Sequence, residues 1–176
     1  MVVTARRMTA DEFLALPPEP NTQLIDGNVV VSDPALRHQR IVAYLYGSFF
    51  VWAQASPGKG EPGLGFNYQI DDHNVFIPDV WFFSEARRPV GNIPFLDGVP
   101  DLVVEVRSPS TWRYDIGVKK DGYRRRGVAE LWLVDTKADR VLVFRGDEEL
   151  ALSGGDQLTT PLMPGLAINL TDLFDR

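Results

Sequence analysis

The chain of 176 residues contains no cysteine, and this absence excludes several kinds of site. A disulfide framework, an iron–sulfur cluster, a thiolate zinc site and a cysteine nucleophile all require that residue. Two histidines alone leave too few ligands for a zinc site. No apolar run approaches the roughly 18 residues that a membrane helix needs. Residues 1–7 carry no apolar segment after their arginines, so we expect no signal peptide and a cytoplasmic protein.

The chain has enough apolar residues to form a core, and it has more acidic than basic residues. Hydrophobic residues make up 44% of it, which excludes disorder, and the length fits one domain over residues 1–176. Aspartate and glutamate number 24 against 18 lysines and arginines, which gives a net charge of −6. This balance argues against a generally basic surface for nucleic acid.

Local signals predict an α/β (α+β) domain with a mixed sheet and helices packed on it. A capping box at Thr9 and Glu12 predicts a helix that runs to about Leu16. Asp26-Gly27-Asn28 between two apolar runs predicts a hairpin, and Gly127 is a predicted helix C-cap. The remaining predictions are helices over 35–55 and 113–126, a loop over 57–65, and strands over 66–70, 75–83, 102–106, 130–134 and 141–144.

Two carboxylates stand in apolar surroundings. Asp79 is the only charged residue between Val75 and Phe83, and Glu105 lies within the apolar run 102–106. Removing a lone carboxylate from water is costly, so each needs a cation, a metal ion or a proton. The alternative interpretation is that each acid lies at an exposed strand end or pairs with a nearby arginine.

A cation follows the second of these acids. Strand alternation places Val103, Glu105 and Arg107 on one face, so Arg107 is predicted to project beside Glu105. Asp79 and Glu105 both lie at predicted strand ends near turns. Two converging carboxylates with a nearby cation suit Mg²⁺ (or Mn²⁺), a hard ion that takes oxygen ligands and keeps positions for water and phosphate.

The predicted helix over 113–126 carries two further features. Asp115, Lys119 and Tyr123 recur at i, i+4 and i+8 and form one stripe. The same segment has a local charge of +4, which suits contacts to the phosphates of a nucleic acid. A solvated helix face with an Asp115–Lys119 pair is the alternative. The basic residues predicted to contact nucleic acid are Arg113, Lys120, Arg124, Arg125 and Arg126.

These motifs together resemble a known family. The chain combines Pro78-Asp79-Val80, the block 100–111 (Pro-Asp-Leu-Val-Val-Glu-Val-Arg-Ser-Pro-Ser-Thr), the stripe from Asp115 to Tyr123, and the block 127–135 (Gly-Val-Ala-Glu-Leu-Trp-Leu-Val-Asp). It resembles the Uma-type restriction endonucleases, bacterial proteins of the PD-(D/E)xK nuclease superfamily. The resemblance extends from the helix at Met8 to about Phe174 and includes His38.

The resemblance implies a restriction-endonuclease-like core and a set of roles. Asp79 matches the aspartate of the motif, Glu105 matches its acidic metal ligand, and Lys119 substitutes for the lysine of the motif. Arg107 stands where the family usually has an apolar residue. Gln23 stands where the family commonly has a glutamate, which removes one negative charge from the region of the metal.

The leading hypothesis is therefore a Mg²⁺-dependent endonuclease that hydrolyses phosphodiester bonds in DNA. Asp79, Glu105 and the carbonyl of Val106 would hold the ion, and Lys119 would position water or stabilise charge on phosphorus. The alternative, motivated by Gln23 and the acidic balance, is a binding module for nucleic acid or protein with a decayed site. A β-rich hydrolase or sugar-binding domain would leave the helix stripe without a role.

Two further residues are predicted to lie near the site and support it. His38 would orient phosphate or water, or only cap and pack its helix. Tyr123 is interpreted as a packing residue between the core and the site.

The aromatic-rich helix over 35–55 is also compatible with a homodimer.

Overall fold

The computed structural model describes residues 6–96 and 98–175; residues 1–5, most of the segment for which we predicted no signal peptide, lie outside this part. The helices are α1 (Ala10–Leu14), α2 (Leu36–Gln54), α3 (Trp112–Tyr114), α4 (Lys120–Arg126) and α5 (Leu170–Phe174), with a 3₁₀ turn at Glu85–Arg87 and a π-helical turn at Asp115–Lys119. The strands are β1 (Thr22–Ile25), β2 (Asn28–Val31), β3 (Glu61–Leu64), β4 (Tyr68–Asp71), β5 (Asn74–Phe76), β6 (Val80–Phe83), β7 (Leu102–Val106), β8 (Glu130–Asp135), β9 (Arg140–Arg145), β10 (Glu148–Ser153), β11 (Gln157–Thr159) and β12 (Ala167–Asn169).

The predicted mixed sheet is confirmed. A six-stranded sheet has the order β10-β9-β8-β7-β6-β3, and β7 and β8 are its parallel pair. The chain crosses from β7 to β8 through α3 and α4, because parallel neighbours need a long connection. A four-stranded sheet has the order β2-β1-β5-β4, and β11 pairs with β12. No helix of the described residues has both the length and the apolar character that crossing a membrane requires.

Short-range signals predicted the turns and caps correctly. The Thr9 hydroxyl accepts from the Glu12 N–H at 3.2 Å, and the Glu12 carboxylate accepts from the Thr9 N–H at 2.9 Å. Asp26 and Gly27 both have positive φ, as a two-residue type I′ hairpin turn requires. Gly127 ends α4 with φ of +82°.

The prediction of one continuous strand over 75–83 is wrong, and the difference determines the position of Asp79. The segment divides into β5 of the four-stranded sheet and β6 of the six-stranded sheet. Proline has no N–H to donate to a strand ladder, so Pro78 favours the interruption. Asp79 consequently lies at the point where the chain passes from one sheet to the other.

Other boundaries also differ from the predictions. Residues 61–64, predicted as loop, form β3, and no element was predicted for β10 to α5. The helix predicted over 113–126 is interrupted, because Gly117 has non-helical dihedrals (φ −116°, ψ −108°) within the π-helical turn. Such wide turns frequently occur at functional sites.

Two cores cover the two faces of β7. Val104 and Val106 pack with α2, α5 and the neighbouring strands on one face. Val103 packs with residues of the four-stranded sheet and with Tyr123 of α4 on the other. Glu105, which shares the face of Val103 by alternation, therefore points towards α4 and the four-stranded sheet.

Candidate active site

Strand register places the two predicted carboxylates side by side. In the antiparallel pair of β6 and β7, Val80 lies opposite Val104 and Trp81 opposite Val103. The next position of the same register sets Asp79 against Glu105, just beyond the last paired residues. Directly opposite residues share a face and have Cβ atoms about 5 Å apart. The register therefore brings together two acids that are 26 positions apart in the sequence.

Asp79 is held through one of its two carboxylate oxygens. The N–H of Val106 donates to Oδ2 at 2.7 Å, and Nε2 of His38 lies 3.2 Å from the same oxygen. The Asp79 side chain keeps 23% exposure, whereas that of His38 keeps 7%. Asp79 is thus anchored on its inner side and reaches solvent on the other.

Glu105 contacts the helical segment that follows β7. Lys119 Nζ lies 2.6 Å from Glu105 Oε1, and the Tyr123 hydroxyl donates to the same oxygen at 2.5 Å. All three side chains are buried. The structure brings Asp115 to the same cluster, because its Oδ1 lies 3.1 Å from Lys119 Nζ. The predicted stripe of Asp115, Lys119 and Tyr123 therefore faces Glu105.

Hydroxyl groups that sequence reasoning overlooked support Asp115. The Thr111 hydroxyl donates to Asp115 Oδ2 at 3.4 Å, and it lies 2.6 Å from the Ser108 hydroxyl. Thr111 precedes Asp115 by four positions, the spacing of helical neighbours, and this spacing was the available signal. The loop between β7 and α3 thus fixes the third carboxylate of the cluster.

Burial and mutual charge shift the ionisation of this cluster. Burial raises the pKa of Glu105 to about 8, although the Lys119 ammonium opposes the shift. Burial likewise raises the pKa of Asp115 above its ordinary value. Burial by itself lowers the pKa of Lys119, but the carboxylates of Glu105, Asp115 and Asp79 together raise it above its ordinary value. Burial and the adjacent Glu105 raise the pKa of Tyr123.

Asp79, Glu105 and Lys119 border one cleft of about 220 Å³, whereas Asp115 and Tyr123 are not among its lining residues. Gln23 lines it and accepts the Ile77 N–H at 2.9 Å through Oε1, so Gln23 fixes the segment that leads to Asp79. Larger and more open depressions beside α2 contain no comparable cluster of acids with a lysine. The lining residues of the cleft are Asn21, Gln23, Ser32, Pro34, His38, Gln39, Val42, Leu64, Gly65, Ile77, Asp79, Glu105, Val106, Thr111 and Lys119.

Arg107, predicted to project beside Glu105, has a different acid as its ion-pair partner. Its guanidinium donates to Asp135 at 2.8 Å and lies over the ring of Trp112. The Arg107 N–H donates to the Val134 carbonyl at 2.9 Å, so the ladder continues to this residue, and its side chain pairs with Asp135 of the neighbouring strand β8. Arg107 is not among the residues that line the cleft.

The five basic residues predicted to contact nucleic acid also lie outside the cleft lining. Arg125 pairs with Asp71 at 3.3 Å, and Arg124 lies 3.9 Å from Glu149. Arg113 donates to the Tyr114 hydroxyl, while Lys120 and Arg126 lie over aromatic rings. Their contact with nucleic acid stays a prediction, and Lys119 is the basic residue of the segment that reaches the cleft.

Comparison with known proteins identifies the family. The family model Uma2, described as "Putative restriction endonuclease", matches residues 10–171. The chain belongs to the Uma2 family. A crystal structure from Anabaena variabilis ATCC 29413, titled a "putative nuclease belonging to DUF820", superposes with a TM-score of 0.85 at 21% identity over 96% of this chain and 98% of that one. A search of curated proteins found no match.

The donor atoms of the Uma2 cleft determine whether it suits a divalent ion. Among the described residues, no three aspartate, glutamate or histidine side chains are grouped so that they could hold one ion. Mg²⁺, however, is commonly held by one or two carboxylates and keeps several waters. Within the described residues, the hydrogen bonds and ion pairs of Asp79 involve Oδ2, and those of Glu105 involve Oε1. Asp79 Oδ1 and Glu105 Oε2 are therefore left for a ligand. Val106, whose carbonyl is the third predicted ligand, lines the same cleft. This donor set fits a hydrated Mg²⁺ or Mn²⁺.

Proposed function

We propose that this Uma2 protein is a Mg²⁺-dependent nuclease that hydrolyses phosphodiester bonds in DNA. The observation that carries the proposal is that Asp79, Glu105 and Lys119 all border one cleft, with Lys119 Nζ 2.6 Å from Glu105 Oε1. The family match supports the same reaction class. Asp79, Glu105 and the Val106 carbonyl are the proposed ligands of Mg²⁺ or Mn²⁺.

The bound ion would supply the positive charge that polarises the scissile phosphate and acidifies a coordinated water. Asp79 and Glu105 present oxygen ligands from two neighbouring strands, which keeps the distance between them fixed. Glu105 has a raised pKa, so it must lose a proton to act as an anionic ligand.

Lys119 has a more specific role than its charge alone indicates. Its raised pKa keeps the ammonium protonated at neutral pH, so it donates hydrogen bonds and does not accept a proton from water. Glu105 and Asp115 hold Nζ between them, at 2.6 and 3.1 Å. Lys119 therefore acts as a pre-oriented donor that stabilises negative charge on the phosphoryl oxygens.

The test is cleavage of labelled DNA by wild type, Asp79→Asn and Glu105→Gln, with Mg²⁺ and with a chelator. Each substitution keeps the size of the side chain and removes a charged ligand, so we expect kcat to fall by about a hundredfold or more. Asp72→Asn is the matched control, because Asp72 is exposed and does not line the cleft. Equal rates for all four proteins would contradict the proposal.

A binding module without catalysis is the second candidate, and Gln23 favours it. The Gln23 carbonyl oxygen already accepts the Ile77 N–H, and an amide carries no negative charge. The acids that line the cleft are therefore Asp79 and Glu105, in addition to the inner Asp115. Calorimetry separates the candidates. The nuclease requires Mg²⁺ or Mn²⁺ binding that Glu105→Gln abolishes, whereas a decayed site shows no metal binding that depends on Glu105.

A further inference from the structure

Within the described part of the chain, the side chain of His38 makes one polar contact, which is with Asp79. The residue lies in the first turn of α2, and Ile41, Val42 and Leu45 of the same helix are buried in the core. Its ring is 7% exposed, and Nε2 lies 3.2 Å from Asp79 Oδ2. A ring fixed by a packed helix provides a rigid support for a carboxylate.

The other ring nitrogen determines where the proton resides. Nδ1 of His38 is buried and has no hydrogen-bond partner within the described part of the chain. A proton on Nδ1 would be a buried donor without an acceptor, which is costly, whereas a proton on Nε2 faces a carboxylate. The neutral ring is therefore the Nε2–H form and donates to Asp79.

Two donors then occupy the same oxygen of Asp79. The Val106 N–H reaches Oδ2 at 2.7 Å and the His38 Nε2–H reaches it at 3.2 Å. Both donors come from groups with fixed positions, one on β7 and one on α2. Their combined effect is to fix the rotation of the carboxylate and leave Oδ1 as its free oxygen.

We propose that His38 is the positioning residue of Asp79: its Nε2–H, together with the Val106 N–H, locks Oδ2 and presents Oδ1 to the divalent ion. This inference rests on the proposed function, because it assigns the orientation of a proposed metal ligand. His38 itself touches neither metal nor substrate in this account. Such outer partners commonly change metal affinity by about 10- to 100-fold.

The first test needs no metal. A long-range ¹H–¹⁵N spectrum of the imidazole rings reports which nitrogen carries the proton in each neutral histidine. The chain has two histidines, so His73→Gln assigns the signals without ambiguity. We expect His38 as the Nε2–H form. A proton on Nδ1 would overturn the proposal, because Nε2 could then not donate to Asp79.

The second test measures the affinity for Mn²⁺ by calorimetry in His38→Gln, His38→Asn and His38→Ala. The amide nitrogen of glutamine extends as far along the side chain as Nε2, whereas that of asparagine extends only as far as Nδ1. We expect the Gln variant to stay within about threefold of wild type and the Asn and Ala variants to bind at least about tenfold more weakly. His73→Gln is the control for loss of a histidine elsewhere, and circular dichroism checks that each variant is folded.

The outcomes separate this inference from the proposed function. If the wild type binds Mn²⁺ and cleaves DNA but all three His38 variants bind the ion as tightly, the positioning role is wrong and the nuclease stands. Equal weakening in the Gln, Asn and Ala variants also overturns it, because a donor at the place of Nε2 would then be irrelevant. A wild type without metal binding and without cleavage overturns both.

Discussion

At the scale of single residues, the cluster places one lysine among three carboxylates. Lys119 contacts Glu105 and Asp115 directly, and the charge of Asp79 also acts on it. Removing one partner from a buried ion pair leaves an unpaired charge in the interior. The cost of that charge exceeds the stability that the intact pair contributes. Once Glu105 and Asp115 are ionised, three carboxylates surround one ammonium, and this excess of negative charge favours a divalent cation.

The raised pKa of Glu105 makes stability depend on pH. The folded state keeps the proton up to about pH 8, whereas the unfolded carboxyl loses it near its ordinary value of 4.5. The folded state thus binds more protons between these values, and the free energy of unfolding falls as pH rises through this window. Glu105→Gln resembles the protonated carboxyl, so we expect a flatter pH profile, with stability near that of wild type at pH 5 and above it at pH 8. Urea unfolding in the presence of a chelator measures this, and parallel profiles would contradict the expectation.

The hydroxyl of Tyr123 supports Glu105 through a buried hydrogen bond of 2.5 Å. Tyr123→Phe removes the donor and leaves the acceptor buried, so we expect a loss of about 1–2 kcal/mol in the free energy of unfolding. Tyr114→Phe is the control, because the Tyr114 hydroxyl accepts from the exposed Arg113 and its removal should cost less than about 0.5 kcal/mol. Equal urea midpoints for the two variants would show that the buried hydrogen bond does not stabilise the fold.

At the scale of elements, α4 can reach Glu105 because a glycine lets it approach the four-stranded sheet. A Cβ atom at Gly122 would lie 2.8 Å from Cε2 of Phe76 and 3.2 Å from Cγ2 of Ile70. Both neighbours are buried, so the helix and not a flexible side chain would have to move. Any such movement would displace Tyr123 and Lys119 from Glu105.

Gly122→Ala should therefore reduce both stability and the proposed activity. Overpacking of this kind typically costs about 1–3 kcal/mol, which exceeds the roughly 1 kcal/mol that alanine gains over glycine in a helix. Gly47→Ala in α2 is the matched control, since its Cβ would meet no atom within 4 Å and the helix gains propensity. We expect opposite shifts of the melting temperature for the two variants. A stabilising Gly122→Ala would contradict the close packing of α4.

Signals within an element were readable from the sequence, and contacts between distant elements were not. The capping box at Thr9 and the stripe from Asp115 to Tyr123 depend on residues within one helical segment. The partner of Arg107, Asp135, comes from the end of β8, and no local pattern indicates it. Similarly, β3 has the unfavourable strand sequence Glu-Pro-Gly-Leu and forms because it pairs with β6.

The sequence predicted the site residues that have regular spacing or apolar neighbours, and not the polar residues that support them. Asp79 and Glu105 were found because their neighbours are apolar, but the break at Pro78 that positions Asp79 was overlooked. The amide of Gln23 and the hydroxyl of Thr111 support the site through bonds to Ile77 and Asp115. Polar side chains with such supporting contacts resemble ordinary loop residues in a sequence.

At the scale of the whole molecule, positive charge is concentrated in one segment of an acidic chain. Residues 113–126 carry +4 and the rest of the chain carries −10. Arg124 and Arg125 remain about half exposed, at 47% and 57%, with weak surface ion pairs. Both guanidinium groups can therefore be reached from solution.

Replacing Arg124 and Arg125 together by glutamine should weaken binding of DNA without changing the chemical step. We expect KM to rise several-fold at low salt, kcat to stay unchanged, and the difference to shrink as salt increases. The double variant Arg88→Gln/Arg140→Gln removes two other exposed arginines and serves as the control for net charge. An identical rise of KM in both double variants would show that only net charge matters.

Lys119, Asp79 and Glu105 are proposed to form a metal-dependent nuclease site. The most direct measurement is the single-turnover rate of DNA cleavage by wild type, Lys119→Met and Lys137→Met across a Mg²⁺ titration. Lys137 lies in the turn between β8 and β9 and does not line the cleft. We expect Mg²⁺-dependent cleavage by wild type and Lys137→Met, and a rate about a hundredfold lower for Lys119→Met. Cleavage that persists in chelator, or equal rates for the three proteins, would contradict the proposal.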